Sequence, residues 1–196
     1  MSVLLSKVEE CWRIVTPEDR WTMWLARDKR FEEEKIVSEL AGNNGLIVDI
    51  GCGSGRYAHC LKYESYEGFD TWENTVAYAE GWAKREYLSR CTFQVGGVYS
   101  NEPYQLSGNL YLTMNVVRHF RDPMAAYRHI WDHIPKGAKW ITDFLTHPGN
   151  GLKIDDDYSS VIGEQDMVAF LAGKSHFGLK NWMEEVGSWW LAMMTK

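Results

Sequence analysis

Long apolar segments are missing from this chain, in which no uninterrupted apolar run is longer than residues 189–194. A helix that spans a bilayer needs about 20 such residues. The first ten residues, MSVLLSKVEE, also lack the apolar stretch of a secretory signal peptide. We therefore expect a cytoplasmic protein that is not inserted into a membrane.

Cysteine, proline and net positive charge are scarce as well. The four cysteines show no CxxC spacing, which predicts reduced thiols and no metal-binding cluster; they are Cys11, Cys52, Cys60 and Cys91. The net charge of −6 provides no overall basic surface for nucleic acid. No segment rich in proline, glycine or serine divides the 196 residues, a length suited to one hydrophobic core. These absences predict a single domain over residues 1–196.

The most informative segment is LIVDIGCGSGRY, residues 46–57. Its apolar residues bracket Asp49, and three glycines follow at alternate positions, Gly51, Gly53 and Gly55. An apolar run that ends in glycines predicts a buried parallel strand that turns tightly into a helix. Such a turn offers bare backbone N–H groups to a small polar ligand, although glycine-rich turns also occur as plain connectors.

Asp70 favours the binding interpretation. It ends the strand-like segment 66–69, and in a doubly wound sheet the end of the second strand lies beside the first glycine turn. An acid there can accept hydrogen bonds from both hydroxyls of a ribose. Arg56 stands where a dinucleotide-binding motif would have its third glycine, and Asp49 can order the turn or meet an ammonium group. These features favour a nucleoside with a zwitterionic tail over a pyrophosphate.

Strands and helices alternate along the chain after an N-terminal helix that begins near Pro17 and ends near Ala41. In that helix Glu32, Glu33 and Glu34 predict a solvated face. The predicted strands cover residues 46–50, 66–69, 91–95, 110–114 and 138–144, and the predicted helices cover residues 54–62, 73–88, 123–134 and 164–172. Two further strands, 176–184 and 188–195, follow with a short turn between them. This order predicts parallel βαβ units with helices on both faces, followed by a hairpin.

In an open sheet of this kind, ligands lie at the carboxyl ends of the strands. That geometry selects the residues that follow the strands, namely Asp49, Gly51, Asp70, Thr71, Gly97, Val98, Asn115 and Asp143. Cys52, Gly53 and Gly55 contribute through the backbone of the turn. The alternative role for Asp70 is a cap on the helix that begins near Glu73.

Several segments together resemble the class I S-adenosylmethionine-dependent methyltransferases of small-molecule type. VDIGCGSG followed by GFD is similar to their first two motifs, and GNLYLTMNVVRHFRDP is similar to their fourth strand and the loop after it. IPKGAKWITDF and GSWWLAMMTK resemble the approach to the fifth strand and the final antiparallel strand. The similarity covers about residues 42–196. It implies a Rossmann-like, doubly wound, mostly parallel seven-stranded sheet with a C-terminal antiparallel hairpin.

The resemblance also implies a cofactor, S-adenosylmethionine, and its product, S-adenosylhomocysteine, held by the residues of the turn and of the strand ends. Two positions depart from the family pattern. Gly97 stands where the family usually has an acid near the adenine amino group, and Asn109 stands where it often has aspartate. Both departures weaken the adenine side of the inference, although backbone groups at Val98 and Tyr99 can contact the ring instead.

The implied reaction is direct displacement of the methyl group by a small-molecule acceptor. His119 is the candidate general base, with His147 as a second candidate; the alternative is a histidine that only bonds backbone. Residues 1–42 are expected to form a helical lid, and residues 43–196 the cofactor-binding core. The chain lacks the usual motifs for base methylation of DNA. Methylation of protein or RNA, and a non-catalytic cofactor-binding subunit, remain the alternatives.

Overall fold

The computed structural model describes residues 30–148, 161–184 and 187–196. These residues belong to two compact units, which we call the N-terminal unit (30–112) and the C-terminal unit (113–148, 161–184 and 187–196). The predicted helix before Arg30, and with it most of the predicted lid, lies outside the described residues. So does the loop 149–160 after the fifth strand.

The N-terminal unit alternates helices and strands in the predicted order. Its elements are α1 (Arg30–Ala41), β1 (Asn43–Ile50), α2 (Arg56–Cys60), β2 (Lys62–Asp70), α3 (Glu73–Arg85), β3 (Cys91–Val95), α4 (Glu102–Gln105) and β4 (Leu110–Thr113). The strands lie in the order β3-β2-β1-β4, and each neighbouring pair is parallel. The carboxyl ends of β1 and β2 are level, since Ile50 pairs with Phe69. The glycine turn and Asp70 therefore emerge side by side.

The apolar residues of β1 explain why it is a central strand. Ile47, Val48 and Ile50 are fully buried, as expected for a parallel strand covered on both faces. In a pleated strand alternate side chains share a face. Asp49 is paired with Gly68, so its side chain is on the same face as those of Tyr66 and Asp70.

The C-terminal unit begins at the last residue of β4. It contains a 3-10 turn (Val117–His119), α5 (Pro123–His133), β5 (Lys139–Pro148), α6 (Glu164–Leu171), β6 (Ser175–Glu184) and β7 (Gly187–Thr195). The strands lie in the order β5-β7-β6, with both pairs antiparallel. The predicted C-terminal antiparallel hairpin is thereby confirmed.

Some predicted boundaries differ from the structure. The helix predicted over residues 54–62 ends at Cys60, because Leu61 already has extended backbone angles and β2 starts at Lys62. The short helix α4 and the 3-10 turn were not predicted, since neither is long enough to show helical periodicity. Among the described helices, none is long and apolar enough to cross a membrane.

Candidate functional site

The glycine turn has the backbone conformation that its sequence predicts. Gly51, Gly53 and Gly55 have φ angles of 81°, 55° and 84°, in the region that side chains disfavour. At Gly55 a Cβ atom would also lie 2.9 Å from the ring of Phe93. The Gly55 N–H donates to the carbonyl of Cys52 at 3.0 Å, which closes the turn before α2 begins.

The N–H groups of the turn are directed at β2. Gly51 and Cys52 both donate to the carbonyl oxygen of Phe69, at 2.7 and 2.9 Å, and Gly53 donates to Oδ2 of Asp70 at 3.0 Å. The expectation that the turn offers bare N–H groups is therefore wrong for these three residues. A turn whose donors are already engaged is poorly suited to an anion such as a pyrophosphate, which binds through such groups.

Asp70 has two backbone donors in this structure. Oδ2 accepts from Gly53, and Oδ1 accepts from the N–H of Trp72 at 3.1 Å. The N-cap residue of α3 is Trp72, so Asp70 is not the helix cap of the alternative interpretation. The carboxylate instead links the end of β2 to the glycine turn. The contact of Asp70 with a ribose stays a prediction.

Asp49 is a second buried carboxyl group at the same turn, with 1% of its surface exposed. The hydroxyl of Tyr66 donates a hydrogen bond to its Oδ2. Burial raises the pKa of Asp49 from 3.8 to about 7; the Tyr66 hydrogen bond lowers it, the negative charge of Asp70 raises it, and Arg56 lowers it. Sequence reasoning missed Tyr66, because only the register of β1 against β2 places it on the face of Asp49.

Arg56, at the position of the missing third glycine, is buried in a charged cluster. Its Nε donates to Glu34 Oε1 at 2.5 Å, and its Nη1 donates to Glu33 Oε1 at 3.2 Å. The Tyr57 hydroxyl donates to the same Glu33 oxygen at 2.6 Å. The prediction of a solvated acidic face is therefore wrong for Glu33 and Glu34, which anchor α1 to the start of α2. The available signal was an arginine directly after the glycine turn, since an arginine that is buried there requires acidic partners.

The end of β3 explains the absence of an acid at position 97. A Cβ atom on Gly97 would lie 2.6 Å from the Thr71 methyl carbon, so a side chain at position 97 requires the exposed Thr71 side chain to move. Ser100 closes the turn, since its hydroxyl accepts from the Gly97 N–H at 2.7 Å and donates to the Gly97 carbonyl at 2.9 Å. Val98 is buried, and its carbonyl accepts from the Tyr104 hydroxyl at 2.7 Å. The predicted residues Thr71 and Gly97 are thus in contact.

We predict that Gly97→Ala destabilises the N-terminal unit by about 1–3 kcal/mol, the usual cost of overpacking. Thermal unfolding measures the effect. Gly81→Ala is the matched control, because the nearest atom to its added Cβ is 3.8 Å away and alanine is favoured within a helix. The control should unfold at the same or a higher temperature. Equal unfolding temperatures for Gly97→Ala and the wild type would show that Thr71 can move aside.

The structure places Asn109 away from the expected cofactor site. Its Oδ1 accepts from the Leu46 N–H at 2.9 Å, and its own N–H donates to the Leu46 carbonyl at 2.9 Å. These bonds lie before β4 and near the start of β1, away from the carboxyl ends of the strands. The asparagine at this position is therefore explained by its bonds to β1, and whether it affects cofactor binding stays a prediction.

The C-terminal unit holds the remaining predicted residues. Asn115 has a φ of 61°, and its N–H donates to Asp143 Oδ1 at 2.7 Å. Asp143 is buried, and its carbonyl accepts from the Tyr127 hydroxyl at 2.5 Å. The side chain of Asp143 therefore fixes the loop that begins at Asn115.

His119, the predicted base, ends the 3-10 turn. The Arg118 Nε donates to His119 Nε2 at 3.4 Å, so the lone pair of this ring nitrogen is already shared. The side chain of His147 lies outside the described residues. No group of three or more histidine, cysteine or acidic side chains among the described residues is placed to hold a metal ion.

Comparison with known proteins identifies both family and fold. The family described as "Methyltransferase domain" matches residues 42–148. The magnesium protoporphyrin IX methyltransferase ChlM from Synechocystis PCC 6803 with bound SAM has 17% sequence identity and a TM-score of 0.67, with 100% of both chains covered. The N-methyltransferase NodS from Bradyrhizobium japonicum WM9 in complex with S-adenosyl-l-homocysteine has 12% identity and a TM-score of 0.65, covering 97% of this chain and 98% of NodS.

Another solved structure with this fold is named as a cyclase. The [4+2]-cyclase SpnF has 15% identity and a TM-score of 0.64, covering 84% of this chain and 80% of SpnF. No curated protein sequence matches the chain. At these identities the structural likeness shows the fold, which is α/β and Rossmann-like, with mostly parallel strands and a C-terminal antiparallel hairpin. The family match covers more than half of the sequence, and the chain therefore belongs to the methyltransferase-domain family, the S-adenosylmethionine-dependent enzymes that its motifs resemble.

Proposed function

We propose that this protein binds S-adenosylmethionine at the glycine turn and transfers the methyl group to a small-molecule acceptor. The observation that carries the proposal is a pair of buried carboxyl groups, Asp49 and Asp70, at a turn in which the N–H groups of all three glycines and of Cys52 are engaged. Such a site favours positive charge. The cofactor brings an ammonium and a sulfonium group, whereas a dinucleotide would bring two phosphates.

The proposed roles follow from the positions of the residues. Asp70 holds the ribose, and the carbonyl oxygens of the turn together with Asp49 face the amino acid tail. Thr71, Gly97 and Val98 provide the surface beside the base. Gly97 offers no side chain to the adenine amino group, so the ring must be contacted by backbone groups and by packing.

The reaction requires alignment rather than strong acid–base catalysis. An acceptor atom attacks the methyl carbon, and the bond from that carbon to sulfur breaks as S-adenosylhomocysteine leaves. The sulfonium already activates the methyl group, so the protein has mainly to position both reactants and exclude water. Positioning of this kind can contribute about 7–11 kcal/mol to lowering a barrier. The hydrogen bond from Arg118 to His119 Nε2 is consistent with a reaction that does not depend on that nitrogen as a base.

Two structural neighbours support a small-molecule acceptor. One is a magnesium protoporphyrin IX methyltransferase and the other an N-methyltransferase, as their names state. Methylation of a protein or RNA is the second candidate within the same fold. A non-catalytic cofactor-binding subunit is the third candidate. The cyclase SpnF illustrates more generally that this fold is not tied to methyl transfer.

We further propose that the enzyme works in the cytoplasm.

Calorimetry tests the cofactor assignment directly. S-adenosylmethionine and S-adenosylhomocysteine should bind with micromolar dissociation constants, corresponding to about −8 kcal/mol. NAD should not bind, because the N–H groups that would hold its phosphates are bonded to Phe69 and Asp70. Binding of NAD, or of neither adenosyl ligand, would overturn the proposal.

A further inference from the structure

We propose that Asp49 is partly protonated at neutral pH in the ligand-free protein and releases this proton to solvent when the cofactor binds. Asp49 would then be a specificity-determining residue that selects adenosyl ligands with an ammonium group. This inference rests on the proposed function, since it assumes that the cofactor lies at the glycine turn.

The surroundings of Asp49 favour a neutral carboxyl group. Asp49 is buried on β1, which pairs with β2 on one side and with β4 on the other. Asp70 lies on the same face of the sheet, on β2. Asp70 is fixed as a hydrogen-bond acceptor for Gly53 and Trp72, which favours its ionised form. Two neighbouring carboxyl groups in a buried site disfavour double ionisation. Burial and the negative charge of Asp70 both raise the pKa of Asp49, which agrees with this geometry.

The other titratable groups around Asp49 do not remove this preference. Within residues 30–148, 161–184 and 187–196 they are Tyr66 and Asp70 from β2, Cys52 from the turn, and Arg56, Tyr57 and Cys60 from α2. Arg56 is the one positive charge among them, and Glu33 and Glu34 both pair with it. Its charge is therefore divided between these two carboxylates and Asp49.

Binding of a cationic group beside Asp49 changes the ionisation of its carboxyl group. The ammonium group of either S-adenosylmethionine or S-adenosylhomocysteine favours the ionised carboxylate, so the Asp49 carboxylic acid becomes a carboxylate and one proton passes to the buffer. The Tyr66 hydroxyl remains the donor to Asp49 in both states. An adenosyl ligand without the amino acid tail, such as 5′-methylthioadenosine, carries no charge and should leave the proton in place.

Calorimetry in two buffers of different ionisation enthalpy counts the protons released on binding. With S-adenosylhomocysteine at pH 7 we expect about half a proton per ligand, falling toward zero at pH 8.5, where free Asp49 is already ionised. With 5′-methylthioadenosine we expect no release. Asp49→Asn should release no proton with either ligand, and its amide oxygen can still accept from Tyr66.

Tyr66→Phe provides a second measurement that does not depend on Asp49→Asn folding. Removing a hydrogen bond that lowers the Asp49 pKa should move the release to higher pH, so this variant should release more protons than wild type at pH 8. Ligand binding without proton release in the wild type would overturn the inference, as would unchanged release in Asp49→Asn or an unshifted profile in Tyr66→Phe. If neither S-adenosylmethionine nor S-adenosylhomocysteine binds, the proposed function fails instead.

Discussion

Replacing Arg56 with methionine should lower the free energy of unfolding by about 3 kcal/mol, at the lower end of the cost of removing one member of a buried ion pair. The arginine is 6% exposed and bonds to Glu33 and Glu34, which are 13% and 25% exposed. Methionine has a similar length but leaves both carboxylates without their cation. Denaturant titration followed by tryptophan fluorescence measures the loss.

The matched control removes the whole set of charges. In Arg56→Met combined with Glu33→Gln and Glu34→Gln, no buried charge is left unpaired, and the Tyr57 hydroxyl can still donate to the amide oxygen at position 33. Replacing a complete buried ion cluster by neutral groups is often neutral. We therefore expect the triple variant to be more stable than Arg56→Met. A triple variant that is less stable than the single one would show that the cost lies in lost packing of the arginine stem.

The elements around the glycine turn were predictable because their signals are local. The apolar run of β1, the alternating glycines and the acid at position 70 each depend on residues close in sequence. The helix predicted over residues 123–134 likewise begins at Pro123, where the Asp122 carboxylate accepts from the Ala125 N–H at 2.9 Å. Turns and caps are defined by a few neighbouring residues, so the sequence is sufficient to place them.

Contacts between distant residues could not be predicted in the same way. Glu33 looked like part of a polar helix face because its partner, Arg56, is more than twenty residues away and nothing in the local pattern joins them. The hydrogen bond from Tyr66 to Asp49 depends on the register of β1 against β2, since shifting a strand by one residue reverses the face of every side chain. The close approach between Thr71 and a side chain at position 97 depends on the end of another strand, β2.

Replacing Asp70 with alanine should weaken the binding of S-adenosylhomocysteine by about 100-fold. The variant loses the proposed charge-assisted hydrogen bonds to the ribose, each worth about 1.5–3 kcal/mol, and part of this loss is recovered by water. The structure adds a second cost, because the Gly53 and Trp72 N–H groups lose their acceptor. The unfolding temperature should therefore fall along with the affinity, and calorimetry and thermal unfolding measure the two effects separately.

Asp122→Ala separates the loss of a backbone acceptor from the loss of a ligand contact. Asp122 also accepts from a backbone N–H, but at the start of α5 in the C-terminal unit. Its removal should cost about 1 kcal/mol of stability and leave the dissociation constant of S-adenosylhomocysteine unchanged. An equal loss of affinity in both variants would indicate that destabilisation alone weakens binding.

A ligand without one ribose hydroxyl isolates the contact itself. If Asp70 holds the ribose, the wild type should bind at least one analogue of S-adenosylhomocysteine, the 2′-deoxy or the 3′-deoxy form, at least tenfold more weakly than the parent ligand. Asp70→Ala should bind the parent ligand and that analogue about equally. Support of the glycine turn cannot produce this pattern, because it affects every ligand to the same degree. Equal discrimination by both proteins against both analogues would assign Asp70 to the turn alone, and the ribose would then have to be held by another group at the end of β2.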